Sequence, residues 1–80
     1  MKVYCVWLID QSSEDEKNLI IICDSDKSAF NYINENYGEI TYIRKDRNDT
    51  NNITYYIATR QGPDEYFIDI VEHEVYQMKK

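Results

Sequence analysis

Glycine occurs twice, cysteine twice, proline once and histidine once in the 80 residues, and each shortage removes a class of chemistry. Gly38 and Gly62 stand alone, so no G-x-G-x-x-G or Walker-type loop exists to cradle phosphates on backbone amides. His73 has no nucleophile elbow near it, and its neighbours Glu72 and Glu74 alternate to the other side of any strand they share. That removes a hydrolytic triad and a local metal chelate. Cys5 and Cys23 are too few for a disulfide scaffold and lack zinc-ligand spacing, so they read as reduced, buried thiols. No stretch approaches the roughly 20 apolar residues of a membrane span, and the first residues lack the regions of a secretory leader, which predicts a cytoplasmic protein. Basic side chains are also in deficit, 9 against 15 acidic, for a net charge of −6. Such a chain repels phosphate backbones and anionic membranes, and its expected partner is a basic macromolecule.

What is present suffices for folding. A hydrophobic fraction of 42% with 14% aromatics is far above that of a disordered acidic tail, and the length fits one domain over 1–80 with one modest core. Val3 to Ile9 (VYCVWLI) is an apolar run too short for a helix and typical of a central strand. Leu19 to Cys23 (LIIIC) is a second, and the polar DQSSEDEK between them predicts an antiparallel hairpin in which Cys5 faces Cys23. From Asp24 the period becomes helical: Ala29, Phe30, Ile33 and Tyr37 share one face, Ser25 or Asp26 can cap the first turn, and Gly38 can end the last, which predicts a helix over about 26–37.

Ile40 to Lys45 and Ile53 to Arg60 flank DRNDTNN as a second hairpin, Gly62-Pro63-Asp64 makes the next turn, and Tyr66 to Gln77 reads as a long last strand. In that strand Ile68 and Ile70 are out of phase with Val71 and Val75, so a bulge is expected near Ile70. The order β-β-α-β-β-β predicts an α+β fold: a mainly antiparallel five-stranded sheet with the helix packed on one face, and Trp7, Phe30, Ile33 and Ile57 meeting in the core.

Two coincidences are assigned to local structure. Asp24, Asp26, Ser28 and Glu35 match positions 1, 3, 5 and 12 of an EF-hand loop, but Ala29 stands where its turn requires glycine, so helix capping is the reading. The sequons at Asn48 and Asn52 matter only in a secreted chain. The chain is therefore read as non-enzymatic, without cofactor or metal. Its eight tyrosines, a residue type enriched at interfaces, combine with carboxylates into a candidate partner-binding surface: Glu14, Asp15, Glu16, Asp64, Glu65, Tyr66, Glu72, Glu74 and Tyr76.

Opening on Lys2-Val3-Tyr4 and ending on the acidic strand Phe67 to Val75, the whole chain resembles small bacterial and phage domains. Eleven Ile and seven Asn against two Ala fit the AT-rich codons of a low-GC bacterium or its phage. In length, acidity and single-helix layout it is similar to the acidic proteins that phages of such hosts use against host defences, anti-CRISPR proteins among them. That resemblance implies an inhibitor that binds a host nuclease or another defence protein stoichiometrically; together with the net charge and the tyrosine and carboxylate face, which can mimic phosphates and stacked bases, the expectation is a monomer or homodimer that binds a basic nucleic-acid-handling host protein such as a CRISPR nuclease. The alternative of a different class is a structural or regulatory module that self-associates through a strand edge, the long last strand being the candidate.

Overall fold

The computed structural model describes residues 1–10 and 16–75. Five strands and one helix follow in the expected order: β1 (Lys2–Ile9), β2 (Lys17–Cys23), α1 (Asp26–Tyr37), β3 (Glu39–Arg47), β4 (Ile53–Gln61) and β5 (Asp64–Glu74). The strands form one antiparallel sheet in the order β2-β1-β5-β4-β3.

Local chemistry sets the element ends. Ser25 is extended, and its hydroxyl accepts from the Ser28 amide at 3.1 Å, satisfying one of the free donors of the first helical turn. Asp24 and Ser28 belong to the same cap, the Ser28 hydroxyl donating to the Asp24 carboxylate at 3.4 Å. Gly38 ends the helix at φ 91°. Between β4 and β5 the loop is two residues long, with Gly62 at φ 60°. Proline cannot follow with a positive φ, so the turn is of the type that needs glycine at its first central position only. At the β3–β4 tip the Asn48 side-chain oxygen accepts from the Thr50 amide, the Thr50 hydroxyl and the Asn52 amide at 2.8–3.1 Å.

The core belongs to one phase of the pleat. Val6, Tyr55, Ile57, Ile68 and Ile70 are buried in one cluster with Ala29 and Ile33 of the helix, and Phe30 packs against it. Trp7, expected in this core, alternates to the opposite phase and is only half-buried. Cys5 pairs with Ile22, and Cys23 pairs with Tyr4, so the two thiols project from opposite faces instead of meeting. The loop sets Ile9 against Lys17, a register that would by itself oppose Cys23 to Val3, and one extra residue in β2, Ile20, between the partners of Val6 and Trp7 moves Cys23 across from Tyr4 and so onto the other face from Cys5. A second bulge lies in β3 at Thr41.

β5 shows no irregularity near Ile70, for its register runs unbroken against both β1 and β4 through Val71. Its two apolar phases reflect its position: as the middle strand it has Ile68 and Ile70 in the core and a half-buried Val71 on the other face. The same position closes β5 to edge pairing, since β1 and β4 occupy its two sides. The open edges belong to β2 and β3, each interrupted by its bulge, a feature that hinders pairing with another chain.

Candidate functional site

The candidate surface residues divide between the two ends of the sheet. Asp64 and Glu65 open β5, whereas Glu72 and Glu74 close it, and the ten residue steps from Asp64 to Glu74 span roughly 33 Å. Glu14, Asp15 and Tyr76 lie outside the described residues.

At the first end, two turns converge. The Asp10 amide donates to the Glu16 carbonyl at 3.0 Å, holding the base of the β1–β2 loop beside the start of β5. An open cleft of about 570 Å³ lies between them, lined by the polar Asp10, Asn18, Asp64 and Glu65 and by Leu8 and Tyr66. Tyr66 makes an edge-on contact with Tyr37 of the helix, ring centroids 5.3 Å apart, so this side of the cleft packs against the helix. Glu16, Asp64, Glu65 and Tyr66 are therefore brought to one end, as an acidic Tyr-bearing surface requires.

The other end is built differently. Glu74 forms an ion pair with the amino group of Met1 at 3.3 Å. Glu72, expected on the surface, is 3% exposed and shares the core phase with Ile68 and Ile70. Its carboxylate accepts from the Tyr4 hydroxyl at 3.0 Å and the Lys2 ammonium at 3.2 Å. Burial alone would raise its carboxyl, but these bonds, with a backbone hydrogen bond at Ile53, outweigh burial and hold it below the ordinary value. Tyr55 repeats the theme one strand away, donating to Asp26 at 3.1 Å. Burial and then that hydrogen bond push the Tyr55 phenol up. Glu72 is a structural carboxylate, and its satisfied oxygens are not presented to a partner. Sequence gave no warning, because alternation next to Glu74 reads the same for a buried acid as for a solvated one.

The face opposite the core phase went unread in the sequence. Its central row across the strands runs Arg44, Tyr56, Asp69, Trp7 and Leu19. The rings there hold the chain's own cations: the Arg44 guanidinium lies 4.4 Å from the Tyr56 ring centroid and the Lys17 ammonium 5.0 Å from that of Trp7. Leu19 and Ile22 on one edge strand, Tyr42 on the other and Phe67 between them are between 42% and 55% exposed on this face.

Asp69 sits amid those rings. Desolvation raises its carboxyl, and Lys17 pulls the other way without cancelling it. A carboxyl raised on folding contributes stability that is complete below the ordinary carboxylate range and is lost as pH rises through the folded value. Asp69→Asn, permanently neutral, should therefore gain stability relative to the parent as pH rises from about 4 to about 7. Urea titrations at several pH values measure this, and parallel curves for the two proteins would contradict the desolvated placement.

Among the described residues no group of three or more His, Cys, Asp or Glu side chains has the geometry to hold a metal ion. No helix of the described residues is long and apolar enough to cross a membrane. No protein-family model, curated protein or solved structure matches the chain.

Proposed function

We propose that this chain is a non-enzymatic binding module, a phage or mobile-element inhibitor that docks its acidic end on a basic, nucleic-acid-handling host protein. The observation that supports it most is the convergence of Asp10, Asp64 and Glu65 around an open cleft at one end of the sheet, with Tyr66 in its lining and Glu16 joined to Asp10 at the base of the neighbouring loop. Carboxylates grouped at one end of the sheet attract the Lys and Arg side chains that a nucleic-acid groove directs at phosphates, and steering falls with ionic strength. In this reading the helix covers the Tyr4, Val6 and Ile68 face of the sheet. Ala29 and Ile33, fully buried in one cluster with Val6 and Ile68, support that placement.

The test is retention of host proteins from a low-GC bacterial lysate on the immobilised chain at moderate salt. A basic nucleic-acid-binding protein should be captured and then weakened about tenfold by the double charge reversal Asp64→Lys, Glu65→Lys, at low salt more than at high. Both positions are exposed strand residues at a turn, so the fold should survive. Capture of no basic protein, or capture that ignores the reversal, would overturn the reading. Glu72→Lys is unsuitable as a probe, because it would unfold the protein before testing an interface.

A further inference from the structure

Next to the central row of the open sheet face runs a second one, Tyr42, Ala58 and Phe67, each directly across from the next. Ala58 is the small member of that row, set between Tyr42 and Phe67. Directly opposed residues in an antiparallel pair stand ~5 Å apart at Cβ, and the next residue on the same face ~7 Å along the strand, so an alanine among four large neighbours leaves a hollow. It measures about 210 Å³, with Ala58 as its floor and Tyr42, Tyr56, Phe67 and Asp69 as its walls, and it is bordered by Ile57, whose side chain lies in the core phase.

We infer that this hollow is a receptor for one cationic side chain, an arginine or lysine, of a protein partner. Its size fits a guanidinium or ammonium with part of its stem. Three aromatic rings line it, and a ring face attracts a cation, while the apolar floor suits the methylenes that such side chains bury. Asp69 belongs to the lining as the counter-charge, across the strand pair from Tyr56, while nearly all of the surface that the hollow exposes is apolar. The chain already uses this chemistry on the same face, where Arg44 covers Tyr56 and Lys17 covers Trp7. Tyr42 and Phe67, at 55% and 42% exposure, have no cation of their own among the described residues. Desolvation raises the Asp69 carboxyl, so an arriving cation stabilises its ionised form and gains from an anion that water solvates poorly.

Other cations stand near the hollow. Arg44 is tied to Asp46 at 3.2 Å, and Lys17 approaches Asp69 from the Trp7 side, so both flank the hollow's Asp69–Tyr56 wall and leave the Tyr42–Phe67 side open. The inference deepens the basic-partner reading, yet small probes test it without any partner. A failed lysate capture therefore leaves it standing, and a null titration here leaves the acidic end standing.

The experiment is an NMR titration of the whole chain with agmatine, butylammonium and neutral 1-pentanol at pH 7. Both cations should move the Ala58 methyl and the Tyr42 and Phe67 ring resonances saturably, with Kd on the order of millimolar, and the alcohol should bind at least about tenfold more weakly. Asp69→Asn should weaken agmatine about tenfold, and Ala58→Leu, which fills the hollow, should abolish binding. If Ala58→Leu loses spectral dispersion, Asp69→Asn decides alone, since neutralising a half-exposed acid leaves the packing unchanged. Equal binding of the alcohol, an Asp69→Asn affinity within about twofold of the parent, or unmoved resonances would each overturn the inference. So would a second copy seated on this face, seen as concentration-dependent sedimentation that Ala58→Leu eliminates.

Discussion

Glu72→Ala is expected to lower the unfolding free energy by about 3 kcal/mol, the cost of breaking a buried charged network by removing one partner. The carboxylate is 3% exposed and joins β1 to β5 through Tyr4 at 3.0 Å and Lys2 at 3.2 Å. Without it a half-buried hydroxyl loses its acceptor, and the space left in the core phase has no apolar group to fill it. Lys2 is about half exposed and can turn to water, so the loss should fall short of that for a fully enclosed pair. Because the folded carboxyl lies below its ordinary value, its stability is present above the ordinary carboxylate range and is lost as pH falls through the folded value. The gap between parent and Glu72→Gln should accordingly narrow from pH 7 toward pH 3 in urea titrations. A Glu72→Ala loss below about 0.5 kcal/mol at pH 7 would show that the network is solvated after all.

Gly38→Ala should be equally severe, about 3 kcal/mol or more, for two reasons that act together. At φ 91° and ψ −161° the backbone is in a region that essentially only glycine visits. An added Cβ would also strike the Arg60 carbonyl oxygen and stand 2.8 Å from the Gln61 Cβ. The carbonyl belongs to β4, paired on both sides, and cannot move aside without disturbing two ladders. Gly62→Ala is the internal control: its φ is also positive, at 60°, but nothing stands within 4 Å of an added Cβ. It should cost only about 1 kcal/mol, and Asn should be tolerated there better than at position 38. Thermal melts of the two variants give the comparison, and equal losses would mean that contact with Arg60 contributes nothing.

The elements were legible because their signals are local. Ser25, the Ala29-Ile33-Tyr37 spacing and Gly38 mark both ends of the helix, and the apolar runs mark five strands. What could not be read depends on neighbours far away in sequence. That β5 is central, with apolar residues of both phases, follows from the strand order, so Ile70 and Val71 looked like a bulge. One of the two bulges hides in the uniform Ile20-Ile21-Ile22, where no polar residue marks the phase, and it turns Cys23 to the face opposite Cys5 in a register that the loop had already shifted. Half of the acidic surface was legible: Asp64 and Glu65 follow a turn whose Gly-Pro signature fixes their exposure. The hollow at Ala58 was not, because a site made by a small residue becomes visible only once its cross-strand neighbours Tyr42 and Phe67 are known.

The placement of β5 also dictates an order of assembly. Residues 64–74 leave the ribosome after the other four strands, yet they bond to both β1 and β4, which make no ladder with each other. Until they arrive the nascent chain holds two separate hairpins, each lacking the partner that would complete its buried face. Joining them requires Lys2 to meet Glu74 across nearly the whole chain, a closure that puts the molecule among slow-folding, high-contact-order topologies. A truncation at residue 61 should therefore yield an aggregation-prone species, and a synthetic peptide spanning 62–75 should restore the sheet by inserting between the two hairpins.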